Sequence, residues 1–509
     1  MMRSLIAAVC AAGALASPPS LLRMGAQVRA EWQARALAAV GGAAAAPPAQ
    51  YFNATVDHLD ATNIGTWPQR FWVNASFWKG AASGAPVFLY VEGEGAGSAG
   101  SVVGGQHVEL AAVHGALLVS LEHRFYGASL PTADLTVGSL RSLSSEQALG
   151  DLASFITGYL VPTYKLDLSA NKVVTFGGSY PGALSAWARA RLPHLVAFAF
   201  STSSPVEASF DFTGYCDVVS DSLSDAAVGG SPTCRGRVAD AFAAIDAALR
   251  GTPAQAAAMA ARVHSCAPPT SVDDTKLLAS NLAGVLMGVV QYNLEASWAN
   301  IGNFCAAITA PGADAVDVFA QLLLQTTGGS CMDNSYADFL SQQVGNTTAD
   351  PGAGGVGVRQ WTWQTCTQFS YFQTCEAGTD CPFSTLMDLA SQVKICQDAF
   401  APYMDAAFVS SRVDFTNAVL GGYRVAGPPS SIDNILFVNG GVDPWHYLSV
   451  RPDNIQGQAN FALLAPTGAH CRTMSSARAG DPPDVVAVKA QSAAILAAFL
   501  DGAGGDARE

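Results

Sequence analysis

Basic residues are scarce in this chain. Its 509 residues include 26 Lys and Arg against 40 Asp and Glu, so the formal net charge is −14 at pH 7. A surface that binds nucleic acid is rich in Lys and Arg, and this balance therefore argues against a nucleic-acid partner. The acidic composition suits an acidic compartment, because carboxylates that gain a proton there repel one another less.

Long apolar runs are also lacking beyond the N-terminus. No later segment reaches the ~18 consecutive apolar residues that a spanning helix needs, so no membrane span is predicted. Residues 1–16 combine Arg3, a short apolar stretch and the small-x-small site Ala14-Leu15-Ala16, which predicts a signal peptide. An Ala-rich disordered tail is the alternative. Residues 17–49 are rich in Ala and Pro and are predicted to form a flexible leader or propeptide.

Cysteine is missing between Cys10 and Cys216 and abundant thereafter. Ten cysteines follow Cys10, nine of them between Cys216 and Cys396, with Cys471 alone near the C-terminus. The even number predicts disulfides and few or no free thiols, and a Cys381–Cys471 pair is one option. The spacings are not those of a CxxC zinc site, so neither a metal nor a cofactor is predicted.

Three Asn-x-Ser/Thr sequons begin at Asn53, Asn74 and Asn346. Such sequons accept N-linked glycans in the secretory pathway. Together with the signal peptide and the disulfides, they predict a protein of that pathway. Its expected destination is the lysosome, the vacuole or the extracellular space.

Short apolar strands alternate with helices in two separate parts of the chain. This alternation predicts a mostly parallel sheet covered by helices. The intervening residues 206–424 are Ala-rich, helical and rich in cysteine, which predicts an inserted domain that covers the site and limits substrate entry. The predicted strands are at 87–91, 116–120, 173–176, 196–200, 434–439 and 461–465, and helices are expected at 145–159, 240–263 and 485–500.

Ser179 lies at the apex of a strand–turn–helix pattern, in Gly177-Gly178-Ser179-Tyr180-Pro181-Gly182. Small residues on both sides let the backbone take the strained turn of a nucleophile elbow, and the helix directs its free N–H groups at the reacting centre. The common pattern is G-x-S-x-G. Here Pro181 takes the last position, which the first turn of a helix tolerates. A Gly-rich turn with a surface serine is the alternative.

An acid and a histidine follow in the order that the α/β-hydrolase fold uses. Asp443 and His470 each lie on a loop directly after a late apolar strand, where this fold carries its triad members. Ser179, Asp443 and His470 are therefore predicted as nucleophile, orienting acid and general base. His446, three residues after Asp443, is predicted to play no such part.

The predicted fold is thus an α/β-hydrolase with an inserted cap. Residues 50–205 and 425–509 form the hydrolase domain, and residues 206–424 form the mainly helical, disulfide-rich cap. The oxyanion hole needs two N–H donors. Tyr180 supplies one, and Gly93 or Glu94, on the loop after the first predicted strand, supplies the other. The Glu94 side chain is also a candidate for binding a charged substrate terminus.

From about Tyr51 onward the chain resembles the proline-directed serine peptidases, and most of all their thymus-specific branch. In that family the residues that match Ser179, Asp443 and His470 form the triad. Gly441 is a departure, since relatives often carry a polar residue there. The motifs behind the resemblance include Gln69-Arg70-Phe71-Trp72, Gly93-Glu94-Gly95, Glu122-His123-Arg124-Phe125-Tyr126-Gly127, Gly177-Gly178-Ser179-Tyr180, Gly440-Gly441-Val442-Asp443-Pro444-Trp445 and Gly468-Ala469-His470-Cys471.

The resemblance implies a secreted or lysosomal serine exopeptidase that cuts short peptides on the carboxyl side of proline. Its expected partners are peptide substrates, with a homodimer as a further option. Two alternatives stay open at this point. One is an esterase or lipase with the same triad, and the other is a catalytically idle secreted binding protein.

Overall fold

Eight strands form one mixed sheet in the computed structural model, which describes residues 21–42, 46–349, 357–426, 432–455 and 460–502. The sheet order is β1-β2-β4-β3-β5-β6-β7-β8, with β2 antiparallel to β1 and β4 and all other neighbours parallel. The strands are β1 Gln50–Thr55, β2 Thr66–Asn74, β3 Val87–Val91, β4 Leu117–Leu121, β5 Val173–Gly178, β6 Phe198–Thr202, β7 Ile435–Gly440 and β8 Phe461–Ala465.

Helices cover both faces of this sheet and fill the interval between β6 and β7. The first six are α1 Leu21–Ala39, α2 Gln106–His114, α3 Val137–Leu140, α4 Ser145–Phe155, α5 Val161–Tyr164 and α6 Tyr180–Arg191. The interval between β6 and β7 holds α7 Gly214–Ser224, α8 Pro232–Leu249, α9 Pro253–Arg262, α10 Val272–Gln291, α11 Ile301–Ile308, α12 Ala315–Thr326, α13 Tyr336–Asp338, α14 Val358–Gln364, α15 Leu389–Ala399 and α16 Ala406–Leu420. The last helix is α17 Pro483–Leu500.

The alternation of side chains along β3 divides the core into two layers. Val87, Leu89 and Val91 join the layer that contains Trp187 of α6, whereas Phe88 joins the layer on the opposite face. Successive side chains of a strand point to opposite faces, and both faces of this strand are buried, which explains its continuous apolar run. The predicted α/β-hydrolase fold with a helical, disulfide-bonded insertion is confirmed.

α17 is the one helix in the described part of the chain that is long and apolar enough to cross a membrane. Val485, Val488 and Leu496 on this helix pack into the sheet layer that contains Phe198. A core helix of a soluble domain passes the same test of length and composition, so this finding is weak evidence for a span.

In the described part of the chain, all four disulfides lie in the insertion between β6 and β7, on its helices and on its loops. They join Cys234 to Cys305, Cys266 to Cys331, Cys366 to Cys396 and Cys375 to Cys381. The predicted Cys381–Cys471 pair is wrong. Cys381 bonds to a partner only 6 residues away, and a short loop costs less entropy to close than a long one. Cys216 and Cys471 are free and buried, so the pairing is less complete than the even number of cysteines suggested.

Part of the segment that is predicted as a flexible leader or propeptide, residues 17–49, is helical. Residues 21–39 form α1, whose Met24 and Val28 are buried against Tyr292, Ala296 and Ala299. These apolar contacts hold the helix on the insertion near the end of α10. The predicted signal peptide, residues 1–16, and Cys10 lie outside the described residues.

Candidate active site

Ser179 joins β5 to α6 in a strained turn. Its φ of 64° and ψ of −138° lie in a region that residues other than glycine rarely adopt. Neighbouring glycines make room for the turn, since a Cβ on Gly177 would lie 2.1 Å from the carbonyl oxygen of Pro181. The turn is fixed by a hydrogen bond from Ser179 N to Thr202 O at 2.9 Å. This is the geometry that a nucleophile elbow requires.

Asp443 and His470 come together from the loops after β7 and β8. His470 Nδ1 donates to Asp443 Oδ1 at 2.8 Å, and both residues are buried. Asp443 Oδ1 also accepts from Trp445 N at 3.0 Å, which fixes the carboxylate. The backbone N of His470 donates to Gln291 O at 2.9 Å, so the insertion helps to hold the histidine loop.

Electrostatics in this buried site favour a charged imidazole at His470. Burial alone would lower its pKa, but the adjacent Asp443 carboxylate and Cys471 together outweigh burial and raise the pKa of His470 well above its ordinary value. Tyr292 packs edge-on to the ring with 5.9 Å between centroids. The site therefore stabilises the imidazolium that forms when a histidine acts as general base.

Two other histidines near the site make different contacts. His446 Nδ1 donates to the backbone oxygen of Asp443 at 2.7 Å and does not bond to its carboxylate. His123 Nδ1 donates to Arg124 O at 2.7 Å, and its Nε2 accepts from Tyr180 OH at 3.0 Å. Burial lowers the pKa of His123 to about 4, so this imidazole stays neutral and serves in a polar network.

Ser179 lines two adjoining cavities, which we call the histidine cavity and the aromatic cavity. The histidine cavity is lined by Gly25, Val28, Arg29, Trp32, Tyr90, Val91, Glu92, Gly93, Glu94, Gly178, Ser179, Pro181, Tyr292, His470, Cys471 and Met474. The aromatic cavity is lined by Glu94, Ser179, Tyr180, Pro205, Gln291, Tyr292, Trp361, Tyr371, Gln373 and Trp445. Both cavities are lined by residues of the insertion together with residues that follow the strands of the sheet.

α1 closes one side of the histidine cavity, and sequence reasoning did not anticipate this. Arg29 forms an ion pair with Glu94 at 3.1 Å, and Trp32 Nε1 donates to Glu295 Oε2 at 3.0 Å. Glu295 is buried, and its Oε2 also forms an ion pair with Arg478 Nη2 at 3.0 Å. An Arg and a Trp among alanines gave no local signal for these contacts, because their partners lie 65 and 263 residues away.

The loop after β3 lies against the first turn of α6, as the oxyanion prediction requires. A Cβ on Gly93 would be 2.2 Å from Pro181 Cγ, so only glycine fits at this approach. Tyr180 begins α6, and the first N–H groups of a helix have no partner within the helix. The N–H of Tyr180 therefore has no partner within α6, and the loop that carries Gly93 lies next to this first turn.

Glu92 is buried directly before that loop and accepts a hydrogen bond from Ser120 Oγ at 2.8 Å. Burial raises the pKa of this carboxyl to about 7, because the site is poorly solvated. In the described part of the chain, no group of three or more His, Cys, Asp and Glu side chains is arranged to hold a metal ion.

The three predicted glycosylation sites differ in access. Asn53 on β1 and Asn346 after α13 are exposed. Asn74, at the end of β2, is half-buried, and its Nδ2 donates to Val102 O at 2.8 Å. A glycan on Asn74 would replace one of the two Nδ2 hydrogens at a half-buried position, so the side chains of Asn53 and Asn346 are the more accessible.

Comparison with known proteins identifies the family of this chain. Residues 54–492 match the family model described as serine carboxypeptidase S28. The human thymus-specific serine protease is 36% identical over 486 residues, which cover 92% of this chain and 91% of that protein. The bovine lysosomal Pro-X carboxypeptidase is 28% identical over 458 residues, covering 86% and 84%.

Among solved structures, epoxide hydrolase A from Mycobacterium thermoresistibile matches with a TM-score of 0.36 and 13% identity, covering 90% of this chain and 98% of that chain. The family model spans most of the chain, and the human relative is aligned over nearly its whole length. The chain therefore belongs to the serine carboxypeptidase S28 family and is a serine-type peptidase.

Proposed function

We propose that this peptidase hydrolyses short peptides through a triad of Ser179, Asp443 and His470. The observation that carries the proposal is the buried 2.8 Å hydrogen bond between Asp443 and His470, beside a cavity that the strained Ser179 also lines. His470 Nδ1 holds its proton toward Asp443, which leaves Nε2 free to accept a proton. In its neutral form His470 can therefore activate Ser179 as a nucleophile.

The reaction proceeds in two halves. Ser179 Oγ attacks the peptide carbonyl while His470 takes its proton, and the tetrahedral oxyanion is held by the N–H of Tyr180 and the N–H of Gly93 or Glu94. His470 then protonates the leaving amine, which departs and leaves an acyl-enzyme. Water, deprotonated by His470, hydrolyses the ester and restores Ser179.

The aromatic cavity supports cleavage on the carboxyl side of proline. Tyr180, Trp361, Tyr371 and Trp445 line a space directly beside Ser179. Aromatic faces suit a flat, rigid pyrrolidine ring, which loses little conformational entropy on binding. Trp361 and Tyr371 come from residues 206–424, the proposed cap, which closes over the site and restricts it to short peptides.

We further propose that residues 17–49 act as a propeptide that covers the site until it is removed. Residues 1–16 are a signal peptide, and Asn53, Asn74 and Asn346 are glycan acceptors in our proposal. Four disulfides fit an oxidising secretory compartment. The proposed destination is the lysosome, the vacuole or the cell exterior, and light scattering would decide whether the chain forms a homodimer.

The test of the triad is Ser179→Ala. We expect the variant to lose labelling by a fluorophosphonate and to lose roughly a million-fold in turnover of X-Pro peptides, because the nucleophile is gone. The fold should be retained, as judged by circular dichroism. Turnover that survives in the Ala variant would refute the assignment, and a wild-type enzyme that cuts esters but no peptide would refute the substrate.

A further inference from the structure

The Arg29–Glu94 ion pair lies beside the proposed nucleophile. Arg29 comes from α1, and its guanidinium reaches Glu94 Oε1 at 3.1 Å, inside the cavity that Ser179 and His470 line. The Glu94 side chain is 11% exposed. Its second oxygen, Oε2, is buried and has no hydrogen-bond partner in the described part of the chain. The carboxylate is therefore only half satisfied by the helix that covers it.

Glu94 faces both cavities that meet at Ser179. Among the described residues that line the aromatic cavity it is the single charged side chain. In a peptide whose proline occupied the aromatic cavity, the residue before the proline would lie either next to Glu94 or next to the opposite wall of the cavity. A carboxylate in poorly solvated surroundings favours a cationic partner strongly, because an unpaired buried charge is costly.

We propose that Glu94 binds a positively charged group of the peptide substrate, and that Arg29 occupies that position while α1 is in place. This inference rests on the proposed function of Ser179. The ligand is a peptide ammonium or guanidinium, either the free α-ammonium of the residue that precedes proline or a basic side chain. Departure of α1 leaves Glu94 unpaired, and the substrate cation then restores the ion pair at Oε1 and supplies a donor for Oε2.

A purely structural role for Glu94 makes a different prediction. If Glu94 only anchors α1, then Arg29→Gln and Glu94→Gln break the same ion pair and should alter catalysis alike. If Glu94 also binds substrate, the two variants diverge. Arg29→Gln frees the carboxylate for the peptide, whereas Glu94→Gln removes the carboxylate and keeps the size of the side chain.

The experiment uses the full-length chain as wild type, Arg29→Gln, Glu94→Gln and Glu94→Asp. The substrates are Ala-Pro-aminomethylcoumarin, its N-acetyl form, and N-acetyl-Lys-Pro-aminomethylcoumarin. We expect Arg29→Gln to prefer a cationic substrate by roughly 10- to 100-fold in kcat/KM, mainly through KM, as a charge-assisted hydrogen bond implies. The preference should fall to near 1 in Glu94→Gln and be partly restored in Glu94→Asp.

The identity of the preferred substrate names the source of the cation. Preference for free Ala-Pro indicates an α-ammonium, and preference for N-acetyl-Lys-Pro indicates a basic side chain. Equal ratios in Arg29→Gln and Glu94→Gln would overturn the inference. If α1 keeps turnover low, the same ratio can be measured by protection from labelling. The dipeptides Ala-Pro and N-acetyl-Ala-Pro are then compared by how strongly each protects Ser179 from a fluorophosphonate. Absence of labelling in all four proteins would instead count against the proposed function itself.

Discussion

The hydrogen bond between His470 and Asp443 can be altered by a single atom. Asp443→Asn keeps the size of the side chain but replaces an acceptor by an amide that can donate, which favours the wrong imidazole tautomer. We expect kcat to fall by about four orders of magnitude with the fold intact. Steady-state kinetics on an X-Pro substrate measure the loss, and thermal unfolding checks the fold.

The same substitution should move the pH profile. The Asp443 carboxylate raises the pKa of His470, and His470 must be neutral to act as a base. Removing the negative charge lowers that pKa, so the acid limb of kcat/KM should shift to lower pH in Asp443→Asn. His446→Ala is the matched control, because His446 bonds only to the backbone oxygen of Asp443. A severe defect in His446→Ala, with an active His470→Ala enzyme, would reverse the assignment.

Among the helices, α1 is the one whose removal should change access to Ser179. Val28 is buried and lines the histidine cavity, whereas Ala34 on the same helix is exposed. Val28→Asp loses about 2 kcal/mol of apolar burial and adds a buried charge, so α1 should detach. We expect Ser179 to react with a fluorophosphonate at least about tenfold faster in this variant than in the wild type.

Ala34→Asp is the control for that experiment. It adds the same charge to the same helix on its solvent side, so its labelling rate should equal that of the wild type. Equal rates in all three proteins would mean that α1 does not limit access to the serine. Limited proteolysis reports detachment directly. We expect α1 to be cleaved in Val28→Asp and to stay protected in the wild type and in Ala34→Asp.

The strands of the core were predictable because they are buried on both faces. The apolar run at 87–91 matches β3 residue for residue. The predicted strand at 461–465 also matches β8, an edge strand whose apolar sequence marks it although only Ala465 is buried. β1 and β2 lie at the edge, where buried and exposed positions mix, and no continuous apolar run marks them. The helix predicted at 240–263 is two helices, α8 and α9, because Thr252 and Pro253 start a new one with its own cap.

The position of α1 and the pairing of the cysteines could not be predicted for a related reason. The position of α1 depends on contacts between residues that are distant in the sequence, and so do three of the disulfides, whose cysteines are 71, 65 and 30 residues apart. Met24 and Val28 pack around Tyr292, and the local composition does not predict that contact. Ser179, Asp443 and His470, by contrast, could be proposed from the sequence, because each lies directly after a strand that an apolar run marks.

The disulfides are unevenly distributed through the protein. All four disulfides lie between β6 and β7, and none joins two strands of the sheet. The longest loop is closed by Cys234–Cys305, with a sequence separation of 71. This bond raises the free energy of the unfolded state by roughly 4 kcal/mol, because it removes chain entropy. The stability of the insertion therefore depends on oxidation far more than that of the sheet.

Reduction should accordingly loosen the insertion before the hydrolase core. We expect two free thiols, Cys216 and Cys471, when the denatured, unreduced mature protein is titrated, since Cys10 lies in the predicted signal peptide. After mild reduction, hydrogen exchange should accelerate in α8 to α12 while β3 to β7 stay protected. Lost protection at the same reductant concentration in both regions would show one cooperative unit. Most cysteines free before reduction would contradict the disulfide-bonded insertion and the secretory route.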